Sequence, residues 1–267
     1  MLFLVATPIG NMSEITLRAI DVLKNVDYIL CEDTRTSLNL LKHYEINKPL
    51  HSYHKFNENS KINSIISDLK EGKNIALISD AGMPGISDPG NILINACKVN
   101  SVEYTVISGP TAFCNAFVLS GFQPPFMFIG FLPSKNKEIS NLLNPLKEVD
   151  SCLVFYMSPH EIEKFFKVIN EYFPNRKRCV VREISKKFEE IVFLDANQTY
   201  FGVEKGEFVV VLDKPILEKK EVTNLDEEIK TLLIDNISKS EISKILSKKY
   251  NLNKNEVYKK VIELSGN

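Results

Sequence analysis

The sequence has no tryptophan, and only five cysteines among its 267 residues. The cysteines (31, 97, 114, 152 and 179) are odd in number and none form Cys-x-x-Cys, so reduced, buried thiols in a cytosolic protein are expected. Histidine is scarce as well. His51-x-x-His54 has no obvious third ligand beside it, so no metal site is expected. No run reaches the roughly 18 apolar residues that a membrane-spanning helix needs. The apolar start, Met1 to Ala6, has no charged leader and meets Thr7-Pro8-Ile9-Gly10-Asn11 too soon for a signal peptide, which predicts a strand and a turn. Charge of one sign is lacking: the formal net charge is −1, which excludes a global basic field. With 44% hydrophobic and 25% charged residues, the composition excludes a disordered or collagen-like chain.

Short apolar, β-branched runs alternate with longer amphipathic stretches. Strands are predicted at Leu2–Ala6, Tyr28–Cys31, Asn74–Ser79 and Tyr104–Ser108. Helical patterns fall at Ile15–Lys24, Ser37–Tyr44, Ser60–Leu69 and Asn91–Asn100. This alternation predicts parallel βαβ units over residues 1–120, with helices on both sheet faces and ligands beyond the carboxyl ends of the strands. Gly121-Phe122-Gln123-Pro124-Pro125 reads as a linker. Five strand-like runs follow, Phe126–Phe131, Cys152–Met157, Arg178–Glu183, Glu190–Leu194 and Phe208–Leu212. The last three have no room for a helix in each connection, so a mixed sheet is expected over 121–217. Lys219-Lys220-Glu221 opens a small helical region, 223–267, with helices at Asp226–Asp235, Ser240–Lys249 and Asn255–Leu264 and caps available at Ser238, Ser240 and Asn253. The fold class is thus α/β with a parallel first sheet, a mixed second sheet and a helical tail.

The predicted loops at the strand ends carry the chemistry. Thr7–Asn11 follows the first strand and admits an ordinary βα turn or a ligand-contacting one. Glu32-Asp33-Thr34-Arg35 admits two readings, a helix cap with a salt bridge, or groups that orient a hydroxyl and take its proton. Ser79-Asp80-Ala81-Gly82-Met83-Pro84-Gly85-Ile86-Ser87-Asp88-Pro89-Gly90 is the most informative. It lacks Gly-Lys-Ser/Thr and G-x-G-x-x-G, which counts against a Walker A loop, a nicotinamide cofactor and a standard Rossmann methyltransferase. Its aspartates repel polyphosphate and suit a cation with hydroxyls and an amine, a polarity that S-adenosylmethionine has. Ser108-Gly109-Pro110-Thr111-Ala112 is either a tight turn or a close-approach loop. Ser158 to Glu161 fits a capping box with Pro159 at the first helical position and His160 exposed. Arg182-Glu183-Ile184-Ser185-Lys186-Lys187 reads as a solvated loop or a phosphate contact. Between Ser238 and Ile262, seven lysines face two glutamates, a balance of +5. That segment resembles a helix-turn-helix, read either as solvated helices or as a phosphate-contacting surface.

Taken together, Thr7–Asn11, Glu32–Arg35, Tyr53-His54 with Asn57-Glu58, Ser79–Gly90, Gly130-Phe131-Leu132-Pro133, Ser158-Pro159-His160 and Arg182-Glu183-Ile184 resemble, in order and spacing, the ribosomal RNA small subunit methyltransferase I family of the tetrapyrrole methylase superfamily. The resemblance covers essentially the whole chain. It implies methyl transfer from S-adenosylmethionine to the ribose 2′-hydroxyl of a cytidine in the decoding region of 16S rRNA, in the small ribosomal subunit. It also implies a cytoplasmic homodimer with the cofactor between the two main domains. By resemblance, Pro8, Asp80, Ala81, Gly82, Met83, Thr111, Ala112 and Met157 line the cofactor pocket. Departures are Ser108 and Thr111 in the usual Pro-Gly-Pro-Ser, Met157 for the usual Glu, and Glu161 for a frequent arginine.

Methyl transfer from a sulfonium needs alignment rather than a protein nucleophile or metal. It needs a group to take the hydroxyl proton, either a carboxylate or a lysine kept neutral by its surroundings. Glu32, Arg35, Glu183 and Lys186 are the catalytic candidates. Asn11, Arg182, Lys244, Lys248 and Lys249 are the candidates for RNA contact. The rivals are a tetrapyrrole or protein methylase of the same fold, and a non-enzymatic nucleic-acid-binding protein.

Overall fold

Strand–helix alternation builds the first half of the chain as the sequence predicts. The computed structural model describes residues 1–216, 225–235, 237–250 and 252–266. The elements run β1 (Leu2–Val5), α1 (Leu17–Asn25), β2 (Tyr28–Cys31), α2 (Thr34–His43), β3 (Leu50–Ser52), α3 (Glu58–Lys70), β4 (Ile75–Leu77), α4 (Asn91–Val99), β5 (Tyr104–Ile107) and α5 (Ala112–Ser120). The five strands form a wholly parallel sheet in the order β3-β2-β4-β1-β5. The β1-to-β2 connection runs one way along the sheet and the β4-to-β5 connection the other. Right-handed crossovers therefore put their helices on opposite faces. Packing agrees: α1 and α2 cover one face through Ala19, Leu23, Leu40 and Leu41. On the other face, Ile65, Leu69, Leu93 and Cys97 of α3 and α4 pack against Leu2 and Leu4. Adjacent strands whose connections diverge leave a crevice at their carboxyl ends, here between β1 and β4.

The second sheet comes from β6 (Phe126–Phe131), β7 (Cys152–Met157), β8 (Arg178–Arg182), β9 (Glu190–Leu194) and β10 (Phe208–Leu212), in the order β6-β7-β10-β8-β9. β6 and β7 are parallel and the other pairs antiparallel, so the sheet is mixed. Central β10 is buried along its whole length, which explains its unbroken Phe208-Val209-Val210-Val211-Leu212 run. Helices α6 (Asn136–Leu143) and α7 (Ile162–Tyr172) cover one face. Ile9 from the first half and residues of α5 cover the other. That shared core joins the two sheets inside one compact unit, Met1–Pro215.

A second unit, Ile216–Asn267, holds α8 (Leu225–Ile234), α9 (Lys239–Tyr250) and α10 (Lys254–Leu264) around Ile229, Ile242, Leu246, Val257 and Val261. Asn253 caps α10, and the Ser238 hydroxyl accepts from the Glu241 amide ahead of α9. The Lys219-Lys220-Glu221 boundary lies outside the described residues. One strand is unannounced by the sequence, and two local expectations fail. Leu50-His51-Ser52 pairs with β2 although it is too short and polar to read as a strand. Ser158 makes no side-chain cap bond, because Pro159–Glu161 turn as a short 3-10 helix before α7. Ser240 lies inside α9 and does not cap it.

Candidate active site

Three of the predicted loops converge on the crevice between β1 and β4. The Thr7 amide donates to the Gly82 carbonyl at 2.9 Å and the Gly82 amide returns a bond of 3.1 Å. The Thr7 hydroxyl donates to the Ser79 carbonyl at 3.1 Å. Gly82 holds φ +78°, where an L side chain is strained, and a Cβ there would come within 3.3 Å of Ile9 Cγ2. The loops after β1 and β4 are therefore one stitched backbone surface. Beside it lies a cleft of about 220 Å³. Pro8, Gly10, Leu40, Asp80 and Ala81 line it, with Lys186 and Glu207 reaching in from the second half.

A second pocket, of about 280 Å³, opens at the carboxyl end of β2. Glu32, Lys55, Glu58, Ser87, Asp88 and Asn91 line it. Glu32 lines this pocket and Asp80 the cleft, and the charge of Asp80 acts on Glu32.

The Glu32–Arg35 loop divides its work. Asp33 caps α2, accepting from the Arg35 amide at 2.8 Å, and the Arg35 guanidinium folds back onto it at 2.9 Å. Hydrogen bonds from Arg35 hold the Asp33 carboxyl down at about 2. The Arg35 side chain is otherwise 91% exposed, which leaves it a cap partner rather than a group at the cleft. Among the described residues, no lysine or arginine pairs with Glu32 in this way. Burial, and then the Asp80 charge, push its carboxyl above the usual range, against an opposing effect of His54. Asp88 goes further, to about 6, through burial and the charges of Glu32 and Asp80, with a Ser79 hydrogen bond opposing. Asp80 is raised mainly by desolvation and then by Asp33, while the Asp33 amide, 3.3 Å from its Oδ1, works against the shift.

Lys186 overturns one expectation. It is not kept neutral. Burial disfavours its charge, but Glu183 at 2.9 Å and Glu207 at 3.3 Å outweigh that and raise its pKa. Burial likewise opposes the Glu183 charge, yet the Lys186 ammonium and the Glu207 amide hold its carboxyl below the usual range. These shifts weaken Glu183 as a base and favour the charged form of Lys186; together with Glu207 they form an ion-paired strap. Gly10 lets the strap approach: a Cβ there would lie 2.5 Å from Lys186 Cγ and 2.8 Å from the Ile184 carbonyl. Glu183 and Ser185 take φ of 52° and 64° in this turn, a conformation uncommon for residues with side chains.

The remaining candidates are scattered. Met83 is half-buried outside the cleft lining. Thr111 stands at the start of α5 without a cap bond, and Ala112 packs on the second sheet. Met157 is buried in the second-sheet core and borders only a hollow of about 10 Å³. Asn11 is exposed and accepts from the Ser13 amide. Arg182 has two of its five donors engaged within the fold: its Nε donates to Glu190 at 2.9 Å and its Nη1 to the Lys205 carbonyl at 3.3 Å. Lys244 and Lys248 are exposed on α9, whereas Lys249 pairs with Glu228 at 2.6 Å. Sequence reading missed Glu207, which nothing in its local pattern announces. It gave no role to Glu58, although Asn57-Glu58 was among the motifs of the resemblance.

The lining suits a cationic ligand with hydroxyls, through Asp80 and the exposed loop backbone, and an apolar body, through Pro8, Leu40 and Ala81. Among known proteins, residues 1–198 match the family model for Tetrapyrrole (Corrin/Porphyrin) Methylases. The chain is 50% identical over 189 residues to "Ribosomal RNA small subunit methyltransferase I" of Mycoplasmopsis pulmonis, covering 70% of this chain and 85% of that protein. It is 35% identical to the protein of the same name from Synechocystis, over 99% of this chain and 98% of that one. A solved diphthine synthase superposes with a TM-score of 0.63 at 12% identity, over 79% of this chain and 89% of that one, which shows the shared fold. The chain therefore belongs to the tetrapyrrole methylase family, and is an S-adenosylmethionine-dependent methyltransferase.

Proposed function

We propose that this protein methylates the ribose 2′-hydroxyl of a cytidine in the decoding region of 16S rRNA, within the small ribosomal subunit. The observation that carries the reading is the pairing of a carboxylate-lined pocket with a loop-built cleft across Glu32 and Asp80. The Synechocystis relative, named as a small-subunit rRNA methyltransferase, supports it by aligning across the helical tail as well.

S-adenosylmethionine, when bound, supplies an activated methyl group. In this reading Pro8, Asp80, Ala81 and the Gly82 backbone hold it, with the halves 1–120 and 121–217 on either side. Glu32 takes the hydroxyl proton, since a carboxylate raised towards neutrality is a better base than an ordinary one. The Lys186 ammonium has three donors and spends two on Glu183 and Glu207. Its third is available to an oxygen of the acceptor. Lys244 and Lys248 of the separate helical module meet phosphates, so binding weakens with salt. The reading includes a homodimer in the cytoplasm; no described helix is long and apolar enough to cross a membrane.

Labelled S-adenosylmethionine and small subunits lacking the modification provide the test. One 2′-O-methylcytidine mapped to the decoding region is expected. Cofactor binding without transfer to subunits would overturn the substrate and send the search to tetrapyrroles and proteins.

A further inference from the structure

We propose that the pocket at the end of β2 seats the acceptor base, and that Glu58 selects a base with an exocyclic amine. This inference rests on the reading of the chain as an rRNA methyltransferase. Glu58 is the first residue of α3 and only 8% exposed. No hydrogen bond or ion pair from any described residue reaches its carboxylate, yet it lines the 280 Å³ pocket. Its oxygens are not sealed from water but open onto the pocket, so a ligand's donor can reach them there. The N-terminus of α3 favours negative charge in its first turn, which makes the residue tolerable there. A metal ion does not supply the missing partner: among the described residues no three carboxylate, histidine or cysteine groups stand close enough to hold one.

The pocket's other groups narrow the ligand. The Lys55 ammonium and the Asn91 amide are donors on the same lining as the Glu58 acceptor. Cytosine presents the complement along one edge, an amine that donates beside a ring nitrogen and a carbonyl that accept. Uracil turns a carbonyl towards the position of the amine, and that oxygen would face the carboxylate. An unstacked base can be read along this edge only when single-stranded or flipped out, the usual way enzymes reach a nucleotide. Glu32 lines the same pocket and couples to Asp80 on the cleft. A base seated beside Glu58 thus leaves its ribose near the carboxylate that takes the proton. Glu58 is a specificity residue, and Glu32 the catalytic one.

The test measures methyl transfer by the full-length protein on small subunits carrying cytidine or, by substitution, uridine at the acceptor position. Wild type is expected to favour cytidine. Glu58→Gln should raise KM for the cytidine subunit about ten- to hundredfold with kcat largely kept. It should also collapse the cytidine-to-uridine ratio, because an amide can donate to the uracil carbonyl. Glu58→Asp should restore part of the ratio. Cofactor affinity by calorimetry and the melting temperature serve as folding controls. A folded Glu58→Gln protein with unchanged KM and ratio would overturn the proposal alone, as would equal loss on both substrates. No transfer by wild type to either subunit would overturn the underlying reading, and the proposal with it.

Discussion

Replacing Asp88 with asparagine should make the protein more stable at neutral pH, although it removes a charged group from the candidate site. Folding raises the Asp88 carboxyl from its ordinary 3.8 to about 6. The native state therefore binds a proton that the unfolded chain has already released, and stability falls as pH rises between the two values. At about 1.4 kcal/mol per pKa unit, the full shift corresponds to about 3 kcal/mol. Asp88 is half-buried and partly screened by water, so about 1–2 kcal/mol is expected. Asparagine keeps the shape and can still bond Ser79, but carries no charge to desolvate or to repel Glu32 and Asp80. The melting temperature of Asp88→Asn should exceed wild type by about 2–8 °C at pH 7.5. The advantage should shrink towards zero at pH 3.5, below both pKa values. Differential scanning calorimetry of ligand-free protein at the two pH values measures it. A variant no more stable than wild type at pH 7.5, or an advantage that does not change with pH, would refute the reasoning.

Three further outcomes follow from the geometry. Gly10→Ala puts a methyl 2.8 Å from the immovable Ile184 carbonyl and into the Lys186 stem; it should cost about 1–3 kcal/mol and lower methyl transfer, read by thermal melts and single-turnover assays. Arg176 is fully buried, and among the described residues its guanidinium donates only to backbone carbonyls, including Ser151 at 2.7 Å and Val149 at 2.7 Å. Arg176→Ala strands those acceptors and should destabilise the protein by about 3–5 kcal/mol in urea unfolding. Removing residues 223–267, most of a unit with its own small core, should weaken methylation of subunits while leaving calorimetric cofactor affinity nearly intact; equal loss of both would dismiss the docking role.

Much of the scaffold is legible in the sequence because burial on two sheet faces demands it. Tyr28–Cys31 and Phe208–Leu212 read as strands since each is an apolar run too short for a buried helix. β3 does not, since only its pairing with β2 makes Leu50–Ser52 a strand. The site is legible where a loop is unusual in itself, as with the glycine- and aspartate-rich turn after β4. It is illegible where a residue's role depends on a partner far along the chain. Arg182 looks like a free phosphate contact, yet Glu190 and the Lys205 carbonyl take two of its donors. Lys186 is a plausible neutral base until Glu207, from the loop before β10, joins Glu183 in holding its proton.

The amino-acid sequence by itself determined the alternation of elements, the edge of the sheet at which the loops gather, and the acidic character of that edge. These follow from periodicity and from backbone chemistry, which act over a few residues. Tertiary structure decided which charges survive as free chemistry. Asp33 is neutralised as a cap by Arg35, Lys186 is fixed as a cation, and Glu32, Asp88 and Glu58 are left facing a pocket. Burial and Coulomb energy depend on distance in space, and sequence separation says little about that distance.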